Sequence, residues 1–238
     1  MTKKDNKAGR IVGVLLITAT VAGFIGGGFL EPVLEAPDDL AKVYANENQV
    51  LIGALFLFIM AAAGASIAIP MYPILKKHNA SMALGSVGFR IIEGGLFMVG
   101  VIFLLLLVTL SQKFVKVGSP DASYFQTSGE LLVGGMNLGL LIGGLAFSLG
   151  ALMYYYLLYQ SKLIPRWLSG WGLIGAILYW AAGLLVMFAL INPFSTIHIG
   201  LQAPLGLQEM VFAVWLIVKG FNPSTIVSES AKTDINEV

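Results

Sequence analysis

"SMALGSVGFRIIEGGLFMVGVIFLLLLVTL", residues 81–110, contains only two charged residues, Arg90 and Glu93. An apolar run of ~20 residues is enough to cross the hydrocarbon core of a bilayer as a helix. The stretch is longer than that and has no alternating apolar–polar pattern, so it predicts a membrane helix rather than a strand of a β-barrel. The two charges inside it are what its chemistry has to explain.

The rest of the chain repeats the pattern. Of its 238 residues, 57% are hydrophobic and 11% charged, with a mean hydropathy of +0.84. Soluble domains carry about 25% charged residues, and here the few charges are collected between long apolar runs. The 28 glycines suit close helix–helix approach in lipid. A net charge of +1 and the lack of a Lys/Arg cluster argue against a nucleic-acid surface. With no cysteine, disulfides, thiolate metal sites and cysteine nucleophiles are excluded.

Six spans are predicted, at 11–30, 50–75, 80–110, 130–159, 167–191 and 200–219. The first follows "MTKKDNKAGR" and has no small-residue cleavage pattern after it, which predicts a retained helix rather than a signal peptide. Lys3, Lys4, Lys7, Arg10, Lys76, Lys77, Lys162, Arg166 and Lys219 fall on one side, against Lys42, Lys113 and Lys116 on the other. Positive charge collects on the cytoplasmic side. The expectation is therefore an all-α polytopic bundle of six transmembrane helices with both termini inside. It forms a single domain over residues 1–220, followed by a polar, disordered cytoplasmic tail over 221–238. The expected location is the inner (cytoplasmic) membrane of a bacterium.

Local signals refine this layout. Pro37, Asp38 and Asp39 mark a helix start in the outer loop before the second span. Pro70 and Pro73 predict an interruption at the inner end of that span, since each removes a backbone donor. "TSGE" places Thr127 as an N-cap with Glu130 at capping-box spacing. Tyr154–Tyr156, Tyr159, Trp167 and Trp171 read as an interfacial aromatic belt.

Charges within the spans carry the functional question. A central charge costs ~2.5–3.5 kcal/mol on insertion scales, so Arg90 and Glu93 must face protein or water. They lie on a small and polar stripe: Ser86, Arg90, Glu93, Phe97 and Gly100. At 1.5 Å per residue, Glu209 is ~15 Å from the Lys219 boundary, about level with Glu93. Two carboxyls then share one guanidinium that stays protonated. A dry, fully ionised cluster would carry a net negative charge, so one carboxyl takes a proton, a cation binds, or the site is wet. Supporting polarity is expected from Gln202, Gln208 and Asn137, the last read as a buried amide on the stripe Gly134, Asn137, Leu141, Gly144 and Ser148. His78 and His198 lie on opposite sides, which argues against a histidine metal site. No metal ligand, catalytic residue or cofactor motif is assigned.

"MYPILKKHNASMALGSVGFRIIEGGLF", "YYLLYQSKLIPRWLSGWGLIG" and "QEMVFAVWLIVKG" together resemble a bacterial multi-pass membrane family described only as a domain of unknown function, family four-three-eight-six. The resemblance runs from the first helix to Gly220. It rests most on Phe89–Arg90…Glu93, on Pro165–Arg166–Trp167, and on Glu209 with Trp215 and Lys219–Gly220. It implies the six-helix layout and pairing of the third and sixth spans, and it implies no activity.

Two functional readings stand. One is a small transporter or ion- or proton-coupled permease using the Arg90, Glu93 and Glu209 cluster. The other is a non-catalytic membrane partner or sensor subunit whose buried charges only hold the bundle together. An intramembrane enzyme is the weakest reading: a Glu pair can exchange protons, but no nucleophile or metal set accompanies it. The expected partner is the lipid bilayer. A homo-oligomer is compatible with six helices, and the sequence names no small-molecule or ion ligand.

Overall fold

The computed structural model describes residues 3–34, 40–117, 122–193 and 195–222. Among these the chain is all-α, with α1 (Lys3–Leu34), α2 (Leu40–Ala45), α3 (Glu47–Ser66), α4 (Ala68–Leu75), α5 (Ala80–Val117), α6 (Ala122–Ser161), α7 (Arg166–Met187) and α8 (Thr196–Val218). Six segments are long and apolar enough to cross a membrane: Lys7–Leu34, Glu47–Leu75, Ala80–Val117, Ser123–Ser161, Arg166–Met187 and Thr196–Val218. The protein is a multi-pass integral membrane protein, and each expected span coincides with one of these segments.

The second span is built from two helices. The Ile67 N–H reaches the Gly64 carbonyl at 3.2 Å, an i→i−3 bond that tightens the turn between α3 and α4. Pro70 lacks the N–H that would have bonded one turn back, which is why the regular ladder gives way here. α4 ends where the Lys76 N–H bonds the Tyr72 carbonyl.

The capping-box reading of Thr127 and Glu130 is corrected: both lie inside α6, which already runs from Ala122. Phe125 makes an edge contact with Phe114 at 5.7 Å between ring centroids, and the Ser128 hydroxyl donates to the Tyr124 carbonyl within the helix. Packing against α5 thus extends the helix past the local cap signal. A short helix, α2, occupies the loop before α3 and buries Leu40 and Val43. The Pro37–Asp39 start signal lies outside the described residues, as does the tail from 223 on.

Contacts divide the chain into two compact units, with the chain passing between them at 17–18, 62–63, 93–94 and 143–144. In the first, Met71, Tyr155, Leu158, Leu163, Phe212 and Leu216 form the core. Gly13 lets α1 lie against α8, since a Cβ there would be 2.6 Å from the Ala213 carbonyl oxygen. In the second, Leu30, Val50, Leu104, Leu107 and Met136 are buried together. Helices in lipid gain no hydrophobic drive from one another, so such close packing and internal hydrogen bonds hold them together. The functional candidates fall mainly in the first unit.

Candidate functional site

The site is assembled from α5, α6 and α8 of the first unit. Arg90 and Glu93 are three residues apart on α5, which puts both side chains on one helix face. Arg90 Nη1 donates to both carboxylate oxygens of Glu93, at 3.2 and 3.1 Å. Arg90 Nη2 donates to Tyr154 Oη at 3.2 Å and to Glu209 Oε1 at 3.4 Å. The Tyr154 hydroxyl donates in turn to the same Glu209 oxygen at 3.3 Å. Tyr154 therefore bridges the cation and the second carboxyl, and one guanidinium joins three helices.

Apolar surfaces shape the rest. The guanidinium lies 4.6 Å from the Phe147 ring centroid and 5.5 Å from that of Tyr154. Weakly hydrated and planar, it is suited to aromatic faces in a dry setting. Gly64 of α3 sits beside Glu93: a Cβ there would lie 3.4 Å from Oε1. The turn that interrupts the second span thus begins against the carboxylate. The Arg90 and Glu93 side chains are 3% and 7% exposed, and that of Glu209 is 13% exposed. Glu209 is the better reached of the two carboxyls and the more loosely held. Arg90 Nε is buried with no protein acceptor among the described residues.

A second polar set lies next to this one in sequence. The Tyr155 hydroxyl donates to Gln208 Oε1, and Gln208 Nε2 donates to the Leu168 carbonyl at 3.0 Å. Every polar atom of the Gln208 side chain is therefore engaged in joining α6, α7 and α8. Gly172 makes room for this, because a Cβ there would be 2.6 Å from the Tyr155 ring.

The structure brings Arg90, Glu93 and Glu209 together, with Gln208 beside them in a separate network. Gln202 instead points to the start of α8, where its Nε2 is 3.0 Å from His198 Nε2. His198 Nδ1 is 2.6 Å from the Pro193 carbonyl, which accepts from it. The Ser195 hydroxyl caps the same helix by accepting from the His198 N–H. Asn137 corrects the expectation of a buried amide: it is exposed on α6, in the second unit. Its stripe is inward only from Gly144 onward, and spacing alone does not say where along a long helix a face is covered.

Sequence reasoning missed Tyr154, Tyr155 and Phe147. The belt rule claims all the aromatics near a helix end, yet Tyr154 and Tyr155 are buried while Tyr156 and Tyr159 are exposed. The separating signal is the helical period, because Phe147, Ala151, Tyr154 and Leu158 continue the inward face that Gly144 and Ser148 begin.

Among the described residues no group of three His, Cys, Asp or Glu side chains converges as a metal set. Searches of curated proteins and of solved structures return no match. A family model does match, over residues 11–220, which takes in every residue of the site. The chain belongs to the family described as Domain of unknown function (DUF4386).

Proposed function

We propose that the protein is a small proton- or cation-coupled permease in which Glu209 is the exchangeable carboxyl. The observation that carries this is the stoichiometry of the cluster: two carboxyls converge on one guanidinium, all three largely shielded from solvent. A buried charge is tolerated only when paired, and Arg90 can balance one carboxylate, not two. Glu93, which takes two contacts from Arg90 itself, both shorter than the one to Glu209, is the balanced one. Glu209 is left to carry a proton or a cation, and its longer contacts and greater exposure suit exchange.

Backbone features support the reading. One span beside the cluster is interrupted, between α3 and α4 just before Pro70, while α8 carries Pro204 five residues before Glu209 and runs unbroken. In secondary transporters, interrupted hydrophobic segments mark binding sites at which access alternates. A second reading, a structural clamp in a partner or sensor subunit, draws on the stacking of Arg90 against Phe147, which gives the cation a fixed seat.

Infrared difference spectroscopy of the purified protein separates the two, with Glu209→Gln and Glu93→Gln as assignment controls. The permease reading expects a protonated-carboxyl band that responds to pH or to added cations and disappears in Glu209→Gln. Two carboxylates ionised throughout, unresponsive to both, would leave the clamp.

A further inference from the structure

Three helix ends meet at the edge of the first unit farther along α8. α6 stops at Ser161 and the chain reverses through Lys162, whose φ of 57° is left-handed. α7 starts at Arg166, its N-cap Pro165 offering no side-chain cap. α8 stops at Val218, and Gly220 turns the chain with a φ of 71°. The Asn222 N–H then donates to the Leu163 carbonyl at 2.7 Å, tying the segment after α8 to the α6–α7 turn.

These ends border an open cleft of about 490 Å³ lined by Lys162, Arg166 and Lys219 together with Pro165, Trp215 and Asn222. Among the described residues no carboxylate lines it. Lys219 Nζ rests 4.6 Å from the Trp215 ring centroid, and Arg166 Cζ 5.4 Å from that of Tyr159. Aromatic rings of this kind sit at headgroup level in a bilayer. Three cationic residues, with no anionic one among the described lining, suit the charge of a phosphate group.

What distinguishes a lipid from a free phosphate is the neighbouring surface. A second cavity, of about 440 Å³, shares Trp215 and Lys219 with the first and continues along α8 over Met210, Val211, Val214 and Val218. Its lining is apolar apart from the Lys219 head. A cleft with three cationic residues on its lining thus adjoins an apolar groove at a common Trp–Lys pair, the order in which a phospholipid presents its headgroup and acyl chain.

We propose that this composite cavity binds one anionic phospholipid, its phosphate between Lys162, Arg166 and Lys219 and an acyl chain along the groove beyond Trp215. Basic pockets between membrane helices bind anionic headgroups in this way. The site is separate from the Arg90 cluster and does not depend on the permease reading.

The test uses the full-length protein purified in detergent. Native mass spectrometry reads retained lipid, and thermal unfolding is followed on adding phosphatidylglycerol, phosphatidylcholine or inorganic phosphate. Phosphatidylglycerol is expected to be retained and to raise the unfolding temperature, with much smaller effects from the other two. Each cation near a membrane surface contributes ~1 kcal/mol, so Arg166→Gln and Lys219→Gln should each weaken retention about fivefold. Val214→Trp fills the groove while leaving every cation in place, and should lower retention without moving the response to inorganic phosphate. Equal effects of phosphatidylglycerol and phosphatidylcholine would overturn the proposal. So would an equal effect of inorganic phosphate, or unchanged retention in Val214→Trp together with Arg166→Gln.

Discussion

Replacing Glu209 by Gln, beside Glu93→Gln and Arg90→Gln, puts the charge argument on a measurable scale. Arg90 Nη1 gives Glu93 two contacts at 3.2 and 3.1 Å, whereas Nη2 gives Glu209 one at 3.4 Å. Charge-assisted bonds favour ~2.7–2.9 Å, so all three are long and that to Glu209 the longest. Hydrogen bonds to charged groups contribute ~1.5–3 kcal/mol each. Glu93→Gln removes the nearer charge and one of two close acceptors, for an expected loss of ~2–3 kcal/mol. Glu209→Gln keeps an amide oxygen for Arg90 or Tyr154 and leaves Arg90 balanced one-to-one by Glu93. Its expected loss is below ~1 kcal/mol. Arg90→Gln strands both carboxyls and is expected to lose ~3–5 kcal/mol. Unfolding of the three variants in one detergent, against the unsubstituted protein, gives the order directly. A Glu209→Gln loss equal to that of Glu93→Gln, at ~2 kcal/mol or above, would refute the reasoning, because a carboxyl that carries a proton is nearly isosteric with the amide.

Three further outcomes are expected. Tyr154→Phe removes the hydroxyl between Arg90 and Glu209 and should cost ~1–2 kcal/mol in the same unfolding assay; a neutral result would mean that the bridge bears no weight. Gly172→Ala would push a Cβ to 2.6 Å from the buried Tyr155 ring, so a loss of ~1–3 kcal/mol from overpacking is expected, read by thermal unfolding. Ala189→Gly should stabilise by ~1 kcal/mol. Ala189 follows α7 with a left-handed φ of 55°, and the bonds from Ala189 to Val186 and from Leu190 to Leu185 form the helix-ending motif that favours glycine there.

The membrane spans were legible because length and apolarity alone decide them. The interruption at Ile67 was legible from Pro70, whose missing donor acts within one turn. Depth reasoning names Glu209 without any structure, and Glu209 lies 3.4 Å from Arg90. Tertiary packing hid the rest. Thr127 carries a local cap signal that Phe114 overrides from another helix. Asn137 sits on a small-residue stripe whose covered part begins only at Gly144. Tyr154 and Tyr156 are chemically alike, and only rotation about the α6 axis separates a buried bridge from an exposed ring. Composition near a helix end does not encode that rotation, whereas the inward period of Phe147, Ala151 and Leu158 does.

Neighbouring residues on two helices form matched doublets: Tyr154 and Tyr155 on α6 against Glu209 and Gln208 on α8. Each member of one doublet bonds a single member of the other. One residue corresponds to about 100° of rotation on a helix, so turning α8 by one position would bring either Gln208 to Arg90 and Leu207 to Tyr155, or Glu209 to Tyr155 and Met210 to Arg90. The doublets act as a key that fixes the angular register of α8 on α6, and Gln208 extends it to α7 through Leu168. These bonds tie α6, α7 and α8 to one another, so in the proposed permease the release of Glu209 turns on breaking its contacts with Arg90 and Tyr154.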